Sequence, residues 1–420
     1  MTKDLIANLI MPSSYFLFKE LKLKKHKNTE PVRLAYRFYV IYLFAVLGSS
    51  TLKAQTDPSV EPQIAEAIYF EKRHIASENY ESVSVFDVNN DGAIDIVSGA
   101  FWYQGPSFKK RHDMGGPKRF GEYYDHFSTI PLDVNSDGNI DFVTGGWYEG
   151  RLVWKENVGD KSPWPEHLIA EVGNIESTRA WDIDGDGVVE IIPNTPNGPL
   201  RIFYLENGSF KEKVLADKQG HGIGYGDING DGRGDLIMPH GWLEAPENRF
   251  EGEWKLHEEF QLGTASVPIM VTDVNKDGLS DMIVGQGHGY GLFWYEQLPV
   301  NKKKDVKWKK HNIDPYNSQY HTMEMEDLDG DGIKELITGK RYKAHNGKDP
   351  GGYDSIGLYY FRWTGESFSK QVIDYGSYGE GKGTGVYFAV SDVNQDNRKD
   401  VIVAGKDGLT IFLNKAVKEK

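Results

Sequence analysis

Phe86-Asp87-Val88-Asn89-Asn90-Asp91-Gly92-Ala93-Ile94-Asp95 contains a nine-residue phrase, D-x-[N/D]-x-D-G-x-x-[D/E], that recurs seven times in this chain. The copies begin at Asp87, Asp133, Asp182, Asp227, Asp273, Asp327 and Asp392, and the seventh has Asn397 in place of glycine. An apolar run enters each copy and another leaves it, as Ser82-Val83-Ser84-Val85-Phe86 does before Asp87. Repetition at roughly 45–65 residues signals stacked supersecondary units or propeller blades.

Around each phrase the order of segments is constant. Strand A runs into the acidic loop and strand B leaves it, as in Asp281-Met282-Ile283-Val284-Gly285. An aromatic strand C follows (Gly291-Leu292-Phe293-Trp294-Tyr295-Glu296), then a strand D that pairs an aromatic with a polar residue. β-Branched and aromatic runs punctuated by Gly, Asn and Asp are strand-and-turn sequences, and no sustained helical period appears in residues 55–420. The D-strand slot occurs at Phe70/His74, Phe108/His112, Trp164/His167, Phe210/Lys213, Trp254/His257, Trp308/His311 and Phe368/Gln371. The first precedes the first A strand, and none follows the last C strand. The fold expected is therefore all-β: a seven-bladed β-propeller of four-stranded blades, closed by the N-terminal strand completing the last blade. Closure would remove the exposed edges of the alternative, an open stack.

Phe86–Gly92 and Val97-Ser98-Gly99-Ala100 resemble the FG-GAP/VCBS repeat family, whose fold is that of the integrin α-chain propeller. The resemblance covers residues 69–414. It implies calcium in the loops and leaves function open, because one scaffold hosts both adhesion proteins and enzymes.

The loop chemistry agrees. Side chains at positions 1, 3, 5 and 9 offer oxygen: Asp87, Asn89, Asp91 and Asp95 in the first loop, and Asp133, Asn135, Asp137 and Asp141 in the second. The third and fourth use Asp182, Asp184, Asp186 and Glu190, and Asp227, Asn229, Asp231 and Asp235. The last three use Asp273, Asn275, Asp277 and Asp281; Asp327, Asp329, Asp331 and Glu335; and Asp392, Asn394, Asp396 and Asp400. Calcium takes 6–8 oxygens in flexible geometry, whereas zinc favours nitrogen and sulfur. Up to seven structural Ca2+ ions are expected, pinning the A–B turns.

Residues 1–37 are basic and Phe38–Gly48 is a short apolar core, followed by Ser49-Ser50-Thr51-Leu52-Lys53-Ala54. This order reads as a signal peptide over residues 1–54 with a long basic region. An uncleaved anchor is the alternative, although the apolar run is short for a span. A linker over 55–68 and a tail over 415–420 would flank the propeller. The expected location is secreted, periplasmic or cell-surface, with no membrane span in the mature chain and a monomeric state. Removing nine of 48 basic and three of 62 acidic residues takes the net charge from −14 to −20. Such a surface disfavours nucleic acid. With no cysteine, disulfides and thiolate chemistry are excluded.

In a four-stranded meander the A–B turns share one face of the disc, and the D–A and B–C connections share the other. Five histidines (His74, His112, His167, His257, His311) fill the repeated D-strand slot, which reads as packing, and His26 lies in the leader. The other six, His126, His221, His240, His288, His321 and His345, all fall in or beside connections of the face opposite the acidic loops. Candidate catalytic residues are His221, His240, His288, His321, Arg341 and His345. Candidate substrate-binding residues are Tyr124, His126, Glu176, Arg179, Trp242, Tyr290 and Lys340. Trp102 and Trp147, near the same turns, read rather as core of strand C.

Histidine and arginine beside flat aromatic rings suit a carbohydrate or other polyhydroxylated ligand. The expected function is binding and processing of a carbohydrate by lyase- or dehydratase-like proton abstraction, with a catalytic metal on this second face as a variant. The alternative is a non-catalytic lectin or adhesion propeller.

Overall fold

The computed structural model describes residues 68–299 and 307–415. The expected leader (1–54), nearly all of the linker and residues 416–420 lie outside the described residues. Seven four-stranded antiparallel sheets follow one another, each ordered A-B-C-D, beginning with Ser84–Phe86, Asp95–Ser98, Phe101–Gln104 and Lys110–Asp113. Blade 5, for example, runs Met270–Thr272, Asp281–Gly285, Tyr290–Leu298 and Lys307–Ser318. The seventh sheet comprises Ala389–Ser391, Asp400–Gly405 and Gly408–Lys415, with Tyr69–Ala76 as its outer strand, in the register Phe70↔Asn414. The first and last blades meet through Val83 N–H, which donates to Tyr387 O at 3.1 Å. No helix among the described residues is long and apolar enough to cross a membrane.

B strands such as Asp281–Gly285 and Asp400–Gly405 are buried at every position, as a sheet covered on both faces requires. The core is distributed between neighbouring sheets, with Ile96, Ile192, Ile237, Ile283, Ile337 and Ile402 all fully buried.

Four of the five D-strand histidines pack, whereas His74 is exposed and meets Ser77 Oγ at 3.0 Å. His112, His167, His257 and His311 lie flat on Trp102, Trp154, Trp242 and Trp294 of the adjacent C strand, with ring centroids 3.8–4.3 Å apart. His167, His257 and His311 also bond to Glu156, Glu244 and Glu296, each two residues beyond the stacked tryptophan. Trp242 is 3% exposed and belongs to this stack, so it does not serve as a ligand platform.

The ninth residue of each acidic loop is a turn clamp. In the first loop Asp95 accepts Val88 N–H on one oxygen and Gly105 N–H, beyond strand C, on the other. Asp141, Asp235, Asp281 and Asp400 repeat both bonds. Glu190 and Glu335 keep the first, to Ile183 and Leu328. Burial is the largest influence on these acids and raises their pKa, to about 7 in Glu190 and Glu335. Asn397 holds φ 65°, and its N–H meets Asp392 as Gly92 N–H meets Asp87, so the seventh loop follows the same path.

Two additions mark the opposite face. A hairpin, Arg119–Phe120 with Tyr123–Tyr124, lies between blades 1 and 2. The long B–C connection of blade 6 contains a 3-10 turn, Ala344–Gly347, and reaches that hairpin: Asn346 N–H donates to Tyr123 Oη at 3.1 Å and Lys343 pairs with Glu122 at 2.6 Å.

Candidate functional site

Five segments at this face bring their polar residues to one point. Glu176 precedes strand A of blade 3, His221 precedes that of blade 4, and His288 sits in the B–C turn of blade 5. His321 lies at the start of Tyr320–Glu326, and Arg341 follows strand B of blade 6. Glu176 Oε1 accepts His321 Nε2–H at 2.8 Å and Arg341 Nη1–H at 2.8 Å. The Nε2 atoms of His221 and His288 stand 3.7 and 3.8 Å from the same oxygen and 2.8 Å from each other.

The outer nitrogens are fixed as well. His221 Nδ1 donates to the Ala265 carbonyl at 2.8 Å, and His288 Nδ1 donates to Asp349 Oδ2 at 2.7 Å. The other oxygen of Asp349 accepts His345 Nδ1–H at 2.9 Å. His345 stacks on His288 at 4.3 Å, is 54% exposed, and engages no partner through Nε2 among the described residues. Gly287 admits the rings: a Cβ there would stand 3.0 Å from His221 Cε1 and 3.2 Å from His321 Cδ2.

Electrostatics follow from burial. Glu176 is desolvated, which opposes its charge, yet the neighbouring His221, the bond from His321 and the Arg341 charge hold its pKa well below the usual range. Burial also works against the Arg341 charge, but Glu81 and Glu176 outweigh it. Arg341 Nε reaches Glu81 Oε1 at 3.0 Å, and both side chains are only 3% exposed. Burial, and then the neighbouring His221, push His288 down to about 4, so its imidazole is neutral at physiological pH.

The remaining candidates stand apart. His126 is buried against Phe142 with Nδ1 unpartnered, and burial pushes its pKa to about 3. His240, half-buried in the blade 4 turn, is not joined to the cluster by any hydrogen bond or ring contact. Arg179 pairs with Glu324 at 3.0 Å and lies over the Tyr387 ring, forming a separate knot. Tyr124 packs edge-on to Tyr80 on the hairpin. Lys340 is buried and anchors the blade 6 connection, donating to Ser318 Oγ, Gln319 Oε1 and the Gly351 carbonyl; burial lowers its pKa to about 8. Tyr290 is 44% exposed and donates to Asp354 at 2.6 Å. Glu81 and Asp349, both central here, carried no periodic or motif signal in the sequence.

On the acidic face, oxygens of Asp182, Asp184 and Glu190, and of Asp327, Asp329 and Glu335, lie within 4.8 Å of one another. These all-oxygen sets fit a hard cation such as Ca2+, which would neutralise the crowded carboxylates.

Residues 133–192 match the FG-GAP-like repeat family model. No curated protein sequence matches the chain. Among solved structures the fold is similar to BBS1N, crystallised in complex with ARL6DN and soaked with lead. The TM-score is 0.50 at 11% identity, covering 84% of this chain and 98% of that one. The rhamnogalacturonan lyase YesW is also similar, with a TM-score of 0.43 and 12% identity over 81% of this chain and 72% of that one. Residues 133–192 thus carry an FG-GAP-like repeat, and the same acidic phrase stands at the A–B turn of all seven sheets of this seven-bladed β-propeller.

Proposed function

We propose that this propeller binds and processes a carbohydrate on the face opposite its acidic loops, by abstraction of a proton beside a carbonyl or uronate group. One observation carries the reading: an exposed imidazole, His345, is anchored through Nδ1 on Asp349 directly above a buried knot of three imidazoles, Glu176 and Arg341. A carboxylate that fixes the tautomer leaves Nε2 as the basic nitrogen, the arrangement general-base catalysis needs. In an elimination, His345 Nε2 takes the proton, the electron pair forms the double bond, and the glycosidic or hydroxyl oxygen departs with its own proton acquired from solvent. The polar knot beneath stabilises the enolate charge as it develops. Calcium in the acidic loops is part of the proposal as a structural element, remote from this chemistry.

The test is a screen of polyuronides and ketosugars followed by ultraviolet absorbance of unsaturated products. His345→Ala and Asp349→Asn are expected to lose turnover at least about 100-fold, the usual scale of a general base. Full activity in His345→Ala would overturn the assignment. A lectin-like reading draws on the exposed rings of Tyr290, Tyr353 and Tyr378, which suit stacking on sugar faces. Saturable polysaccharide binding without product from any substrate would favour it.

A further inference from the structure

We infer that Glu176, His221 and His288 ligate one divalent transition-metal ion, with His321 holding Glu176 in place. The inference builds on the reading of this cluster as the reaction centre, but a metal assay and an activity assay fail separately.

A backbone carbonyl can only accept, so His221 Nδ1 against Ala265 O carries the proton. An ionised carboxylate can only accept, so His288 Nδ1 against Asp349 carries its proton too. When the rings carry only these protons, their Nε2 lone pairs face each other across 2.8 Å, with a Glu176 oxygen 3.7 and 3.8 Å away. Three lone-pair donors facing one another repel unless something positive lies among them.

The spacing suits an ion. With metal–nitrogen bonds of about 2.1 Å, neighbouring donors stand about 3.0 Å apart at a right angle and about 3.4 Å apart at a tetrahedral one. The observed separations bracket those values. The surroundings also match. Metal-bound histidines characteristically donate their other nitrogen to a carbonyl or carboxylate, as both do here.

Two imidazoles and one carboxylate select a borderline metal over calcium. Three protein ligands leave positions open, the pattern of a catalytic rather than a structural site. Because Asp349 lies on the long blade 6 connection, the ion would also tie that connection to blades 3, 4 and 5.

The test separates this ion from loop calcium. Untagged protein is washed with EGTA and analysed by elemental mass spectrometry, then stripped with 1,10-phenanthroline and titrated with Co2+ alone. The expected result is about one transition-metal equivalent per chain and a visible cobalt ligand-field band that saturates at one equivalent. His221→Ala and His288→Ala abolish the band while near-ultraviolet circular dichroism stays native. Asp349→Asn, which keeps all three ligands, weakens cobalt binding about 10–100-fold. A band absent in wild type, or unchanged in His221→Ala and His288→Ala, overturns the inference and leaves a proton shared between the two imidazoles.

Discussion

Arg341 Nη1 donates to Glu176 Oε1 at 2.8 Å across 165 residues of chain, joining the blade 6 connection to the entrance of blade 3. The same guanidinium reaches back to Glu81 ahead of blade 1. Removing one partner of a buried pair leaves the other charge unpaired in a poor solvent. Arg341→Ala is expected to cost about 3–5 kcal/mol, with a matching fall in the denaturation midpoint. A loss below about 1 kcal/mol would mean that water reaches the two carboxylates.

The acidic loops make a prediction with two arms. Asp281 clamps its turn through Val274 N–H and Gln297 N–H, whereas Asp277 sits at the exposed fifth position. Asp281→Ala should therefore destabilise the protein by about 2–3 kcal/mol even in EDTA, because two buried donors lose their acceptor. Asp277→Ala should instead shrink the stability difference between calcium and EDTA. If calcium fills the loops, EDTA is expected to lower the wild-type melting temperature, as removal of any ligand of the native state does. Identical melting curves with calcium and with EDTA would exclude structural ions.

The stacked D-strand histidines should behave as independent increments. His311 lies 4.3 Å from the Trp294 ring and bonds Glu296 at 2.7 Å. His311→Ala is expected to cost about 1 kcal/mol, in the range of an aromatic pair. His167→Ala in another blade should add to it almost fully, since distant sites are additive. Chemical denaturation of the two single variants and the double variant checks this.

His126 sets a pH dependence. Its folded pKa is depressed by burial from 6.5 to about 3. Between those values the unfolded chain binds a proton that the folded chain refuses, so stability from this group is present above pH 6.5 and lost as pH falls toward 3. The slope is about 1.4 kcal/mol per pH unit at most. His126→Leu should flatten the acid limb of a stability–pH curve measured by urea denaturation. An unchanged limb would show that His126 gains a partner on acidification.

Much of this was legible because repetition separates packing from purpose. The acidic phrase recurs at every A–B turn, and His112, His167, His257 and His311 recur on every matching D strand, so their places followed from counting. His221, His288 and His321 stood out because they break that pattern, and they do converge. The same logic overreached for His126 and His240, since lying in a connection of one face fixes neither depth nor direction. Glu81 and Asp349 escaped notice for the opposite reason: single acids in irregular connections have no period to mark them. Their partners come from other blades and exist only once the sheets are arranged in space. The clamp formed by Asp95 and its equivalents was equally hidden, because a carboxylate that clamps two amides has the same spacing as one that binds an ion.

The outer strand of the seventh sheet has a consequence for the order of synthesis. Tyr69–Ala76 is made before every other strand of the seven blades, yet its partner Gly408–Lys415 is made last. Six sheets can pair as they emerge from the ribosome, while this strand waits with its edge unmatched. Glu71, Lys72 and Arg73 at its centre keep that edge charged, as exposed edges are kept from pairing with strangers. The earliest strand of the disc is thus the last to find its place.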